Sequence, residues 1–258
     1  PSKGTFSVVA VAYDPAIQKL FVDMGADVAI LAANAADGAT VQFCENRAEL
    51  SAIYAGEQTC VAPFVARVTG GQINIERCMN FGEISVKNTQ GKDAAIGGIA
   101  GFVNDDATIN VDKCANRAPI TVDGGRSNIG GIVGQTSVGS TGTVANINLC
   151  CNTGDIDYYN EAGERAAGII GYIKGGEINY CYNTGNIKAY SDSGDTPSRS
   201  GYGKNFGIFG YANLTTGSSV NVVGCFNATA DPLEAEICVI RNAKFGFFDN
   251  FVMEGRSE

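Results

Sequence analysis

The chain has 258 residues, 45% of them hydrophobic, with 34 Gly, 6 Pro, 9 Cys and a net charge of −9 at pH 7. That apolar fraction excludes a disordered tail, and an acidic balance with no basic cluster argues against a nucleic acid partner, because phosphate binding needs concentrated Lys and Arg. No apolar run approaches the roughly 18 residues of a membrane span, and the absence of His removes HExxH zinc-protease chemistry and any Ser/His/Asp or Cys/His dyad.

Residues 1–35 follow no repeat. Phe6 to Tyr13 reads as a strand, Asp14-Pro15 caps and starts a short helix through Met24, and Val28 to Ala33 is a second apolar run. This segment is expected to be an N-terminal cap, since the open first rung of a solenoid exposes unpaired backbone. The tail of a preceding domain is the other reading. Pro1, with neither Met nor signal peptide before it, reads as a trimmed mature start.

From residue 36 to 230 one pattern returns. Cysteine stands at Cys44, Cys78, Cys114, Cys150, Cys181 and Cys225, and two residues later come Asn46, Asn80, Asn116, Asn152, Asn183 and Asn227. The intervals are 34, 36, 36, 31 and 44 residues, a period that marks a stacked array of about six turns. Each repeat carries three apolar segments. The first has a glycine signature, seen as Gly97-Gly98-Ile99-Ala100-Gly101, Gly130-Gly131-Ile132-Val133-Gly134, Gly168-Ile169-Ile170-Gly171 and Gly207-Ile208-Phe209-Gly210, with Ala62 to Ala66 as a degenerate copy. The second places Val41, Ile75, Val111, Ile147, Ile178 and Val222 three residues before the cysteine, and the third places Leu50, Ile84, Ile120, Ile156 and Ile187 six after it.

Columns of β-branched residues predict inward-facing ladders on pleated strands. The residue just before the cysteine is Phe43, Arg77, Lys113, Leu149, Tyr180 or Gly224, a mixture unfit for a core. A bend there leaves Cys inward at a corner and its neighbours outward. Asn followed by Gly or Ala fits a turn, and stacked asparagines form an amide ladder. The predicted fold is all-β: a right-handed parallel β-helix with three strands per turn, in which Ile99, Val111 and Ile120 share one core. The cysteines are expected to be free buried thiols, because parallel Cβ vectors oppose the disulfide dihedral. Residues 231–258 form a C-terminal cap, with Phe245, Phe247, Phe248 and Phe251 sealing the last rung.

The sequence Gly-Gly-Ile-x-Gly, then ten to sixteen residues to Cys-x-Asn-x-Gly-x-Ile, resembles the GLUG-motif repeats of bacterial surface proteins over roughly residues 60–230. Such repeats occur in adhesin-like proteins of gut Bacteroidetes and in the non-catalytic part of immunoglobulin A-specific metalloproteases. The resemblance implies an extracellular or outer-surface β-solenoid and brings no catalytic residues. Anchoring, by lipid or by a fused segment, would lie outside this chain.

No metal or cofactor is expected: there is no Cys-x-x-Cys pair, and the glycine segments lack the Lys-Ser/Thr of a phosphate loop. The function expected first is non-enzymatic adhesion or glycan or host-protein binding, with no catalytic residue. A polysaccharide lyase or hydrolase is the alternative, by analogy with other β-helices. Its candidates are Asp105, Asp106 and Asp112, or Asp155, Asp157, Glu161, Glu164 and Arg165. A structural stalk is third. The expected binding surface has two parts. One is an outward amide and carboxylate strip that includes Asn110, Asp112, Asn146, Asn148 and Asn179. The other is a tyrosine-rich region with Tyr158, Tyr159, Tyr180, Tyr182 and Tyr190, continued by Arg199 and Tyr202 in the long 190–204 insertion.

Overall fold

A computed structural model describes residues 7–8, 19–23, 27–54, 59–88, 93–137, 143–159, 165–190, 204–213, 219–228, 239–241, 245–248 and 251–252. These residues form an all-β parallel solenoid of about four complete turns, with an incomplete turn at either side. One complete turn shows the plan. Its strands are Asp93–Gly97, Ala100–Val103, Thr108–Asp112, Ala115–Asn116 and Ile120–Asp123, and they belong in that order to the first, second, third, fourth and fifth sheets. The three apolar segments thus become five strands, because two are broken. The glycine segment turns sharply between the first and second sheets, and the cysteine segment bends between the third and fourth.

Register follows the sequence columns. Val111 pairs with Ile75 and Ile147, and Ile120 with Ile84 and Ile156. All these side chains are buried, each contributing roughly 1.5–3 kcal/mol. The described repeat cysteines are buried and free, with thiols directed at backbone carbonyls. The asparagine ladder is continuous. Asn46, Asn80, Asn116 and Asn152 each donate from Nδ2 to the next Oδ1 at 2.7–2.8 Å, and Asn183 reaches Asn227 at 3.0 Å. The same Nδ2 groups donate to the carbonyls of Ala48, Gly82, Ala118, Gly154 and Gly185. Both amide hydrogens are therefore satisfied, as burial demands. The asparagine sits in a strand and does not make the turn; the left-handed residue is the one before the cysteine.

The expectation of one shared core is corrected. Ile99 and Val111 lie in one cluster with the cysteines, bounded by the second and third sheets, and Ile120 lies in another, bounded by the fifth and first. Between the two clusters the asparagine ladder reaches the glycine turn. A Cβ on Gly98 would stand 2.7 Å from that of Asn116, and Gly131, Gly168 and Gly207 meet Asn152, Asn183 and Asn227 in the same way. The glycine signature and the Cys-x-Asn signature are two halves of one contact, so the interior is divided where they touch.

The expected helix over 14–24 is corrected at residues 19–23, where Lys19–Asp23 is a strand paired in parallel with Glu49–Ile53; residues 14–18 and 24 lie outside the described residues, among which no helix occurs. At 19–23 the unpaired backbone of the neighbouring strand outweighs local helix propensity, a weak preference that tertiary context overrides. Ser7–Val8 pairs with Thr40–Val41, and at the other end Phe245–Phe248 pairs with Val220–Val223 and Phe251–Val252 with Phe226–Asn227.

Candidate functional site

The corner before each cysteine has an unusual backbone. Phe43, Arg77, Lys113, Leu149 and Tyr180 all have φ between 52° and 54°, in the left-handed region, and the last copy is Gly224 at 60°. A left-handed residue with a Cβ costs on the order of 1–2 kcal/mol, and glycine meets the same geometry without that cost. Five of six turns nevertheless carry large side chains there. Phe43, Leu149 and Tyr180 are 47%, 48% and 58% exposed. The next column outward, after the cysteine, runs Glu45, Met79, Ala115, Cys151, Tyr182 and Phe226. Tyr182 is 39% exposed, and a hydrogen bond with Cys151 raises its phenol above the ordinary value. Leu149, Tyr180 and Tyr182 thus form an apolar ridge on consecutive rungs. On the earlier rungs the corner is cationic: Arg77 lies 5.2 Å over the Phe43 ring, while Arg47 and Arg117 lie over Phe81 at 4.8 and 5.9 Å.

The predicted amide strip lies on the outer face of the third sheet, where its side chains bond to one another. Asn110 donates to Asn74 and Asn146 to Asn110, both at 2.9 Å. Asn148 donates to Asp112 at 2.6 Å and Asn179 to Glu177 at 3.2 Å. The first three bonds tie neighbouring rungs, whereas Asn179 and Glu177 lie two residues apart on one strand.

The tyrosines do not make one patch. Tyr158 is 1% exposed, which corrects its place among the outward residues: it shares parity with Ile156, pairs with Val122, and points into the core. Tyr159 and Tyr190 stack on the outer face of the fifth sheet, with centroids 4.5 Å apart. Tyr180 and Tyr182 occupy the corner, while Arg199 and Tyr202 lie outside the described residues. Among the acids, Asp105 accepts from the Ser137 hydroxyl, Asp155 accepts from the Asn186 amide N–H at 2.8 Å, and Asp157 accepts from the Tyr190 hydroxyl at 3.5 Å. Burial raises the Asp157 carboxyl above its usual range, against the pull of Lys188. Glu161 and Glu164 lie outside the described residues.

A second feature lies where the first and second sheets fold against each other. Their facing side chains meet in a buried seam. At its early end Cys60, Ala66, Ala95 and Phe102 pack together, and Arg67 lies over that cluster. Arg67 lies 5.0 Å over the Phe102 ring and holds Asp27 with two hydrogen bonds, Nε to Oδ2 at 2.6 Å and Nη2 to Oδ1 at 3.1 Å. Midway along the seam the buried Asn128 donates to Gln135 at 2.6 Å. Farther along, Arg165 lies 4.9 Å from the Tyr172 ring centre and 4.2 Å from that of Tyr211, and donates to Asn128 Oδ1 at 3.5 Å. Arg165 and Tyr211 are partly exposed, and burial pulls the guanidinium below its ordinary value. The sequence groups Arg165 with Asp155, Asp157, Glu161 and Glu164 as a candidate catalytic cluster; its described contacts are with Tyr172, Tyr211 and Asn128.

Among the described residues no group of three or more Cys, Asp or Glu side chains is placed to share a metal ion, and no helix is long and apolar enough to cross a membrane. No protein-family model matches the chain, and no curated protein matches it in sequence.

Proposed function

We propose that this chain is a non-enzymatic binding segment of an extracellular or cell-surface protein, meeting a glycan or protein partner through the corner ridge of Leu149, Tyr180 and Tyr182. The observation that carries this reading is the placement of large exposed side chains on a backbone that glycine would adopt more cheaply. Strain held at a surface marks a site where the side chain has a use. Tyrosine suits that use, with a flat apolar face for a sugar ring or a protein and a polar tip. The resemblance to GLUG repeats supports a surface location. In this reading the coil is right-handed, as parallel crossovers overwhelmingly are. Segments 1–35 and 231–258 close its ends, in keeping with the strand pairing at both.

The test is an array of glycans and host proteins probed with the wild type, Tyr180→Ala and Tyr182→Ala. A ligand whose binding both substitutions weaken supports the reading; binding indifferent to both removes it. A polysaccharide-active enzyme is the second reading, favoured by the raised Asp157 carboxyl beside Asp155, as a general acid requires. It predicts polysaccharide cleavage that Asp157→Asn abolishes. A stalk, the third reading, predicts no ligand at all.

A further inference from the structure

Two amide ladders cross the same rungs, one inside the coil and one outside. The inner asparagines spend both amide hydrogens: Asn116 donates to Asn152 Oδ1 and to the carbonyl of Ala118. The outer ladder lies on the third sheet, where Asn74, Asn110 and Asn146 stand in register on neighbouring rungs and alternate with buried Ile75, Val111 and Ile147. Asn110 donates to Asn74 and Asn146 to Asn110, both at 2.9 Å. Each bond takes one of a donor's two hydrogens and one of an acceptor's two lone pairs. These side chains are partly exposed, so the amides keep hydrogen-bonding capacity that the ladder does not use.

The period of such a ladder is set by its chemistry. A straight stack of amides joined N–H to O=C repeats every ~4.8 Å, whatever chain carries it. We infer that the outer face of the third sheet, along Asn74, Asn110 and Asn146, is a binding site for the surface of a crystalline N-acetylhexosamine polymer of the chitin type. In such a crystal the acetamides of neighbouring chains stack amide on amide, so they present the same repeat. With the solenoid axis laid along that stack, each rung would meet one polymer chain and each asparagine one acetamide. Individually weak bonds then act together, a gain that a soluble oligomer meeting a single rung does not receive.

Charge favours the same occupant. The adjoining row holds Glu76 and Asp112, whose ion pairs with Arg77 and Lys113 are exposed and weak, on a chain of net charge −9 at pH 7. A polyanion is repelled by such a face, whereas this polymer is neutral where acetylated and cationic where an acetyl group is missing. Cellulose has a similar chain but no amide to match the ladder. The face belongs to different columns from the corner ridge, so the two sites are tested separately.

The experiment is co-sedimentation of the whole chain with crystalline chitin, microcrystalline cellulose and polyglutamine fibrils, with soluble chitotetraose as competitor. The wild type is expected to sediment with chitin alone and to stay bound when chitotetraose is added. Asn110→Ala combined with Asn146→Ala should weaken binding by about tenfold, the share of two neutral hydrogen bonds. Asn110→Asp keeps the size and loses the donor, so it should also bind more weakly; it serves as the reporter should the double variant fail to fold. Tyr180→Ala should leave this binding unchanged. Failure to bind chitin, equal binding to cellulose, or binding that survives the asparagine substitutions would overturn the assignment. So would release by chitotetraose, which would deny the periodic match, or equal binding to the fibrils, which would give the face to a cross-β protein instead.

Discussion

Gly98 and Asn116 meet across the interior so closely that a Cβ on the glycine would stand 2.7 Å from the Cβ of the asparagine. The same Cβ would stand 2.1 Å from the carbonyl oxygen of Gly131 on the next rung, and Asn116 is held on both sides by the amide ladder, so neither neighbour has room to retreat. Gly98→Ala should therefore destabilise the fold by about 1–3 kcal/mol through overpacking. Urea unfolding measures it, and a loss below about 0.5 kcal/mol would mean that the two signatures do not depend on each other.

Asn116 and Asn110 are both rung-to-rung amides, yet their substitution should have unequal effects. Asn116 is fully buried; its side chain donates to Ala118 O at 2.9 Å and Asn152 Oδ1 at 2.8 Å, and accepts from Asn80 at 2.8 Å. Removing it strands buried partners, and at about 1 kcal/mol per bond the loss is roughly 3 kcal/mol. Asn110 is partly exposed, so water replaces its partners and Asn110→Ala should cost about 0.5 kcal/mol or less. Equal losses in the two variants would contradict the assignment of one ladder to the interior and the other to the surface.

The thiols give the fold an alkaline limit. Burial pushes Cys114, Cys150 and Cys181 well above the ordinary value of 9.0, and Cys78 rises mainly through its hydrogen bond with Cys114. Cys225 moves the other way, because Cys181 stabilises its thiolate. For the raised thiols the folded chain keeps protons that the unfolded chain releases. Their contribution to stability is complete below the ordinary value and is lost as pH rises beyond it. The melting temperature should hold from neutrality to about pH 8 and fall above about pH 9, at up to about 1.4 kcal/mol per pH unit for each such thiol. A chain as stable at about pH 10 as at about pH 8 would contradict this burial. In the native state a thiol reagent should find the described cysteines unreactive, and in denaturant it should find them open.

Much of this fold is legible in the sequence, because parallel stacking repeats the same residue at the same register. Val111 and Cys114 could be placed inside from their columns, and Asn116 in a ladder. The division of the interior is not legible, since it depends on which column faces which: nothing local to Gly98 says that Asn116 lies opposite. The strand at Lys19–Asp23 is hidden for a similar reason, its partner being the edge of a turn some thirty residues later. Tyr158 is a different case. Its spacing of two from Ile156 assigns it to the core, a signal that the local density of tyrosines obscured. For the site, Tyr180 and Tyr182 follow from the bend at the cysteine, whereas the meeting of Arg165 with Tyr172 and Tyr211 joins columns from separate sheets and could be found only in three dimensions.

Lys113 offers a calibration of the corner backbone. Its φ is 53°, and its side chain makes an exposed ion pair with Asp112, at 2.5 Å, of a kind that contributes little. Lys113→Gly should leave stability unchanged or raise it by up to about 1 kcal/mol, as relief of a left-handed residue predicts. A clear loss of stability would show that the side chain serves the fold.

The most direct test of the central claim pairs binding with stability in Tyr180→Gly. Tyr180 occupies the same left-handed corner and is 58% exposed. If its ring is there for a partner, the glycine variant should melt at the wild-type temperature or above while losing the array ligand. A variant that loses stability and keeps the ligand would contradict the account.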